Sequence, residues 1–295
     1  MPITDDFVLA VDIGGTKLAA ALVGVDASLV NRRQVPTPRT TDGEAIFSTL
    51  ATLIDDVLAD ARVAPMGVGV GCGGPMTPGG AAVSPTNIGA WRSFPLRDRV
   101  AHHTGLDTVV DNDAKAYARG EGWKGAAAGS RNYLAMVVST GVGGGIVLDG
   151  RLLDGQQSNA GHVGHLIVEP DGRRCGCGAH GCLEAEASGT AIAVITGRPA
   201  AEASPEVVER TGRLVGRAVG SVANLLDLRL AVVAGSVALG FGEPFFAAAQ
   251  AEVDAVAQLD FARGTRIIPG GLGADGPLVG AGALAWSHLG RLEGP

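Results

Sequence analysis

Phe7-Val-Leu-Ala-Val-Asp-Ile-Gly-Gly-Thr-Lys-Leu-Ala-Ala-Ala-Leu-Val-Gly-Val25 decides the fold. Phe7 to Ile13 reads as a buried strand, Gly14-Gly15-Thr16-Lys17 as a tight turn, and Leu18 to Val25 as a second strand leading away. The turn is not a Walker loop, which is longer, ends on Gly-Lys-Ser/Thr and opens a helix. Its backbone N–H groups, a Thr hydroxyl and Lys17 can approach phosphate oxygens, and Asp12 at the strand end can hold Mg²⁺ or its waters. An ordinary hairpin turn reads the same way. Repetition favours phosphate. Tyr133 to Val138 is a strand running into Ser139-Thr-Gly-Val-Gly-Gly-Gly145, with a further strand at Ile146 to Leu148. Two copies of strand, Thr-Gly turn and strand imply two related lobes, each bringing a phosphate-facing hairpin to one cleft.

Working outward, residues 28–35 form a third strand, and Asp42-Gly43-Glu44 opens an amphipathic helix to about Ala61, with Ile46, Leu50, Leu53, Ile54, Val57 and Leu58 on one face. Met66 to Val70 is a short strand entering Gly71-Cys72-Gly73-Gly74-Pro75, where glycines at a strand end imply close backbone approach. Three strands, a helix and a strand begin a mixed sheet covered by helices. Ser84 to Leu96 is a loop; Asn87 there suits a pair of hydroxyls or ordinary turn chemistry, and Trp91 is a packing anchor rather than a sugar platform. Asp107 to Asp111 is a strand, and Asp111-Asn112-Asp113 leads into a helix at Ala114 to Glu121. Carboxylates there cap the helix and point into the cleft at the sheet's carboxyl end. Later helices are expected at 185–195, 205–226, 243–259 and 277–289, with strands at 230–234 and 265–268. Gly235-Ser236 ends the first of these strands, and Gly280-Ala-Gly-Ala283 suits close helix packing ahead of approach to a nucleotide base.

The segment 159–184 carries a different chemistry. Cys175, Cys177 and Cys182, three of the four cysteines, lie there with His165 upstream. Thiolates and an imidazole with no open position make a structural zinc site, and Gly176, Gly178 and Gly181 let the chain turn tightly enough to converge the sulfurs. Cys-x-Cys-x4-Cys with an upstream His describes a pinned loop within a larger domain rather than a paired-knuckle finger. Three free thiols in a reducing loop are the alternative.

Composition bounds the rest. With 295 residues and 46 glycines lacking a Gly-X-Y period, the chain can form two lobes rich in tight turns. It carries 23 basic and 30 acidic residues, net −7, and no basic run, which excludes a polyanion partner such as nucleic acid. No apolar run approaches the roughly 20 residues of a membrane span. The acidic opening Met1-Pro-Ile-Thr-Asp-Asp6 lacks the basic and apolar regions of a signal peptide, so a reducing cytoplasm is expected.

These motifs resemble the ROK family of repressors and sugar kinases over nearly the whole chain: Asp-Ile-Gly-Gly-Thr-Lys at 12–17, Asn-Asp-Ala at 112–114, Ser-Thr-Gly-Val-Gly-Gly-Gly at 139–145 and Cys-Gly-Cys-Gly-x2-Gly-Cys-Leu-Glu at 175–184. The resemblance implies an α/β, two-lobed, actin-like (ribonuclease H-like) fold with its active site in the inter-lobe cleft. Residues 1–111 would be the small lobe, completed by the C-terminal helix, and 112–295 the large lobe with the zinc loop. It implies phosphorylation of a sugar 6-hydroxyl by ATP and Mg²⁺, with Asp113 as general base, because phosphoryl transfer asks mainly for positioning, a base and charge stabilisation.

By the same resemblance Gly74, Asn87, Asn112, Asp113, His162, His165 and Glu184 contact the sugar. Asp12, Gly14, Gly15, Thr16, Lys17, Thr140, Gly141, Gly143 and Gly235 serve ATP, and His165, Cys175, Cys177 and Cys182 bind structural zinc. The partner would be a small-molecule sugar, and the assembly a homodimer. Glucokinase-type members carry Glu where this chain has His162, and some N-acetylmannosamine kinases carry His. The expected acceptor is therefore N-acetylmannosamine ahead of glucose, although Asn87-Ile-Gly-Ala-Trp91 resembles the glucokinase loop. The family's repressors carry an N-terminal winged helix, for which a first strand at Phe7 leaves no room, so a repressor is not expected.

Overall fold

The computed structural model describes residues 6–292. In chain order the strands are β1 (Phe7–Ile13), β2 (Lys17–Gly24), β3 (Leu29–Pro36), β4 (Val68–Cys72), β5 (Thr108–Asn112), β6 (Tyr133–Val138), β7 (Val142–Leu148), β8 (Arg151–Leu152), β9 (Leu230–Ala234) and β10 (Arg266–Pro269). The helices are α1 (Gly43–Ala59), α2 (Leu96–Thr104), α3 (Asp113–Lys124), α4 (Leu183–Ala187), α5 (Gly189–Thr196), α6 (Pro205–Leu226), α7 (Ser236–Phe241), α8 (Glu243–Val256) and α9 (Gly276–His288). The chain divides into two compact units. One holds the chain up to Lys124, Asp154–Ala160 and the chain from Ala274 on; the other holds Gly125–Leu153 and Gly161–Gly273.

In the first unit the sheet order is β3-β2-β1-β4-β5. β1, β2 and β3 are antiparallel neighbours, whereas β4 and β5 run parallel to β1. Alternation along β1 and β2 separates two apolar faces. Leu9, Val11, Ile13, Leu18, Ala20 and Leu22 pack with Ile46, Leu50, Ile54 and Val57 of α1. Val8, Ala10, Ala19, Ala21 and Val23 pack with Leu278, Ala281, Ala285 and Trp286 of α9. Burial on both faces explains why these strands read as continuous apolar runs.

The helix α9 lies very close to the sheet. A Cβ on Gly69 of β4 would stand 1.9 Å from the Ala281 carbonyl oxygen, and one on Gly280 would stand 2.5 Å from that of Ala116 in α3. The small residues of 280–283 therefore serve packing. The expected lobe boundary after Asp111 falls inside this unit, because α3 continues directly from β5 and packs on α9.

The second unit repeats the topology, with order β8-β7-β6-β9-β10. β6, β7 and β8 are antiparallel, and β9 and β10 run parallel to one another and to β6. Leu134, Met136 and Val138 of β6 share a core with Leu214, Val215, Ala218 and Val222 of α6 and with Phe245, Ala249 and Val253 of α8. The repeat seen in two turns thus extends to two whole sheets.

Three expectations change. β7 begins at Val142, not Ile146, because Gly143, Gly144 and Gly145 pair along β6 as strand residues. The helix expected at 185–195 is two, α4 and α5, broken at Ser188, whose backbone is extended and whose side chain accepts from Ala191 N. After the loop expected to end at Leu96, with no element expected before Asp107, Leu96–Thr104 forms α2. Among the described residues no helix is long and apolar enough to cross a membrane.

Candidate active site and metal centre

In the first unit the strand register gathers the expected residues. Asp12 of β1 lies level with Gly71 of β4, which lies level with Asp111 of β5; one step on, Ile13, Cys72 and Asn112 align. Asp12 and the start of α3 therefore emerge together at the carboxyl ends of the parallel strands, where α/β sheets bind ligands. Gly71 faces the start of α3, a Cβ there lying in ordinary contact, 3.5 Å, with Asp113 Cα. The cap of α3 is Asn112, whose Oδ1 accepts from Ala114 N at 3.0 Å and Lys115 N at 3.3 Å, while Asp113 Oδ1 accepts from Ala114 N at 2.8 Å.

Asp12 is 8% exposed, and its carboxyl is pushed up to about 7, by burial first and by the Asp113 charge second, with Lys17 acting the other way. Two carboxyls that feel each other in a sparsely solvated place suit a cationic ligand. Cys72, wholly buried, is held protonated by burial and then by the charges of Asp113 and Asp12.

The first glycine turn is tied at both ends: Gly14 N donates to Lys17 O at 3.0 Å, Thr37 Oγ1 to Gly14 O at 2.7 Å, and Thr37 N to Thr16 O at 3.1 Å. Thr16 and Lys17 are exposed. Asn87 sits against this turn, because a Cβ on Gly15 would lie 2.9 Å from its Cβ. Gly74 joins the same group, its carbonyl accepting from Thr86 N at 3.2 Å.

Trp91 is fully buried, stacked on Phe94 at 4.5 Å, with Nε1 donating to Gly43 O at 3.0 Å. It is the anchor of the Asn87 loop. Arg92, which the sequence did not single out, holds the loop's backbone, Nη1 donating to the carbonyls of Pro85, Ile88 and Trp91 at 3.1, 3.2 and 2.6 Å.

In the second unit the β6–β7 turn is held by the expected glutamate. Glu184 Oε2 accepts from Val142 N at 2.9 Å and would stand 2.6 Å from a Cβ on Gly141, so Glu184 and the turn form one group. Gly143 lies beyond it in β7, opposite Val137. The Thr140 carbonyl accepts from Thr190 N and Oγ1 at 3.2 and 2.9 Å, and Ser139 Oγ lies 2.9 Å from Ser236 Oγ. Gly235 has φ +97°, and a Cβ there would be 2.3 Å from Val138 O, so only glycine fits. Beside the turn opens a cavity of about 640 Å³, lined by Ser139, Thr140, Thr190, Val194, Arg198 and Ser236 among others. Its size is that of a small-ligand site. Sequence reasoning missed Thr190, Val194 and Arg198, which carry no motif.

His162 and His165 follow in a short helical turn, their rings nearly parallel at 14° with centroids 6.1 Å apart. His165 Nδ1 is 3.6 Å from Cys175 Sγ, and Cys177 Sγ is 3.6 Å from Cys182 Sγ; all four ligand atoms lie within 4.8 Å of one another. Zn–S bonds near 2.3 Å and Zn–N bonds near 2.0–2.1 Å at tetrahedral angles require roughly 3.8 Å between sulfurs and roughly 3.6 Å from sulfur to nitrogen. The cluster therefore fits zinc. With Nδ1 turned to the thiols, Nε2 is the nitrogen His165 has left for another ligand.

Burial, then the neighbouring thiols, raise the Cys182 thiol to about 12, whereas the Ala179 backbone first of all lowers that of exposed Cys177. The loop is braced by wholly buried Glu186. Burial alone would raise its carboxyl, but hydrogen bonds from Arg173 N and Arg210 hold it low, with Arg173 Nη1 at 2.7 Å and Arg210 Nη2 at 2.6 Å.

Two sheets of one topology, each opening on a glycine turn beside a carboxylate, define an actin-like α/β protein. The chain belongs to the ROK family, whose model matches residues 8–288. Its relatives include the N-acetylmannosamine kinase of Escherichia fergusonii, 38% identical over 250 residues that span 79% of this chain and 84% of the relative. Among solved structures, the ROK hexokinase of Thermus thermophilus matches with a TM-score of 0.83 at 32% identity, covering 96% of this chain and 99% of its own. A ROK family glucokinase from Streptomyces griseus, in complex with glucose and AMPPNP, matches with a TM-score of 0.83 at 29% identity, covering 95% and 99%.

Proposed function

We propose that this protein is an ATP-dependent sugar kinase that phosphorylates the 6-hydroxyl of a hexose or N-acetylhexosamine, N-acetylmannosamine ahead of glucose. The observation that carries the reading is the placement of Asp113 at the head of α3, where its charge acts on Asp12 at the carboxyl ends of β1, β4 and β5. Asp113 accepts the proton of the 6-hydroxyl as that oxygen bonds to the γ-phosphorus. The bond from γ-phosphorus to the bridging oxygen breaks, and ADP leaves. Mg²⁺, held near Asp12, would supply positive charge to the phosphate oxygens.

Both glycine turns cradle phosphate through backbone N–H groups, and the cavity beside Thr140 takes the nucleoside. Gly74, Asn87, Asn112, His162, His165 and Glu184 bind the sugar. His165, Cys175, Cys177 and Cys182 hold a structural zinc whose work is to fix the loop presenting His165 and Glu184. The protein is assigned to the cytoplasm, where the thiols stay reduced, and to a homodimer.

The acceptor order rests on relatives named N-acetylmannosamine kinase and on His162, whose imidazole offers a donor where glutamate offers only acceptors. Glucose is the second reading, supported by the Streptomyces griseus glucokinase complex. Coupled ADP-release rates with Mg·ATP across N-acetylmannosamine, glucose, mannose and N-acetylglucosamine decide between them. The highest kcat/KM is expected for N-acetylmannosamine; a preference for glucose would reverse the order, and silence on all four would sink the kinase assignment.

A further inference from the structure

Lys115 lies two residues past Asp113, with its side chain 1% exposed. A buried ammonium persists only where it is paired. Its Nζ donates to Asp111 Oδ1 at 2.8 Å and to Asp154 Oδ1 at 2.6 Å, and it reaches the Ser158 carbonyl at 3.4 Å. Ser158 Oγ donates to the other Asp154 oxygen at 3.0 Å. Asp154 and Ser158 belong to a strap, Asp154–Ala160, that is part of the first unit although the residues on either side of it belong to the second. The strap contains neither helix nor strand, so its side-chain bonds fix its position.

Its far end holds a second fastening. Asn159 pairs both ways with the backbone of Met76: Met76 N donates to Oδ1 at 3.1 Å, and Nδ2 donates to Met76 O at 2.8 Å. Met76 closes the Gly73-Gly74-Pro75-Met76 segment, against which Asn87 rests, its Oδ1 3.3 Å from where a Cβ of Gly73 would be. A continuous set of bonds therefore leads from α3 through Lys115, the strap and Asn159 to the backbone that carries Gly74.

We propose that Lys115 is a positioning residue for sugar recognition, fastening the 154–160 strap so that Asn159 holds the Gly73–Met76 segment against the acceptor. This rests on the sugar-kinase reading, in which Gly74 and Asn87 touch the sugar. Lys115 touches no reacting atom; it acts through the strap.

The test is steady-state kinetics on the full chain with N-acetylmannosamine and with glucose, for Asp154→Ala, Asn159→Ala, the double variant and Lys115→Met. Asp154 is 61% exposed on its side chain and Lys115 retains Asp111 without it, so Asp154→Ala keeps the fold even where Lys115→Met does not. Each single variant is expected to raise the sugar KM about tenfold, the scale of a small misplacement at a binding group. KM for ATP and kcat stay within about twofold.

The double variant matches the worse single one, because both residues act along one line. An unmoved sugar KM, a parallel loss in ATP KM and kcat, or effects that multiply in the double variant would each overturn the proposal. Wild-type protein that turns over neither these two sugars nor mannose nor N-acetylglucosamine would remove the kinase reading and this one with it. Wild-type turnover with unaltered variants removes this one alone.

Discussion

Replacing Asp12 by Asn tests the electrostatics of the first unit without changing its shape. The folded chain keeps the Asp12 proton up to about 7, whereas the unfolded chain releases it near 3.8. Between those values the folded state binds more protons, so stability is lost as pH rises through the window and is level above it. At about 1.4 kcal/mol for each pH unit, the full interval is about 4 kcal/mol. Asn never ionises and escapes the loss. The variant should be more stable than wild type by about 1 kcal/mol at pH 4.5 and about 4 kcal/mol above pH 7.

Urea unfolding followed by tryptophan fluorescence reads the right part of the molecule, since Trp91, Trp123 and Trp286 all belong to the first unit, as Asp12 does. Mg·ATP should narrow the gap, because a cation beside the carboxylate favours its charged form in wild type alone. A difference between the two proteins that does not vary with pH, or that shrinks from pH 4.5 to 8, would refute the burial and like-charge argument.

Three further outcomes follow from the same geometry. Asp113→Asn should lower kcat by about 10²–10⁴-fold, the range of a lost general base, while calorimetry finds sugar affinity largely kept; retained turnover would displace Asp113 from its role. Purified protein should carry one zinc per chain by elemental analysis, and Cys177→Ser should lose it together with a rise in sugar KM, as expected if the ion fixes the loop bearing His165 and Glu184. Gly69→Ala puts a methyl 1.9 Å from the Ala281 carbonyl and should cost about 1–3 kcal/mol or more by urea unfolding, with α9 displaced from β4.

The parts legible in the sequence are those where one residue type has one physical use. The Asp-Ile-Gly-Gly-Thr-Lys turn, its second copy at 139–145 and the Cys/His cluster each combine a backbone need with a chemical one, and the structure brings each together. Other parts were hidden for identifiable reasons. In α2 the buried residues are Leu96 and Val100, a single i, i+4 pair among charges, too short a stripe to register as helical periodicity. In β7 three glycines suggest a turn, yet they pair with Val137, Met136 and Ala135 of β6, and glycine is needed at 144 because a Cβ there would meet Val163 Cγ2 at 2.7 Å. The cavity beside Thr140 draws on 139–140, 189–200 and 236–237, ordinary residues that only the fold assembles. Lys115 reads as a helix surface lysine until Asp154, 39 positions away, is found against it.

The distance along the chain between β1–β2 and α9 has a consequence for biosynthesis. Val8, Ala10, Ala19, Ala21 and Val23 are made well ahead of the helix that covers them, Gly276–His288. At roughly 5–20 residues per second, about 250 intervening residues take the ribosome on the order of 10–50 s. For that time the face of the nascent β1–β2 hairpin that α9 covers in the folded chain stands without its partner helix.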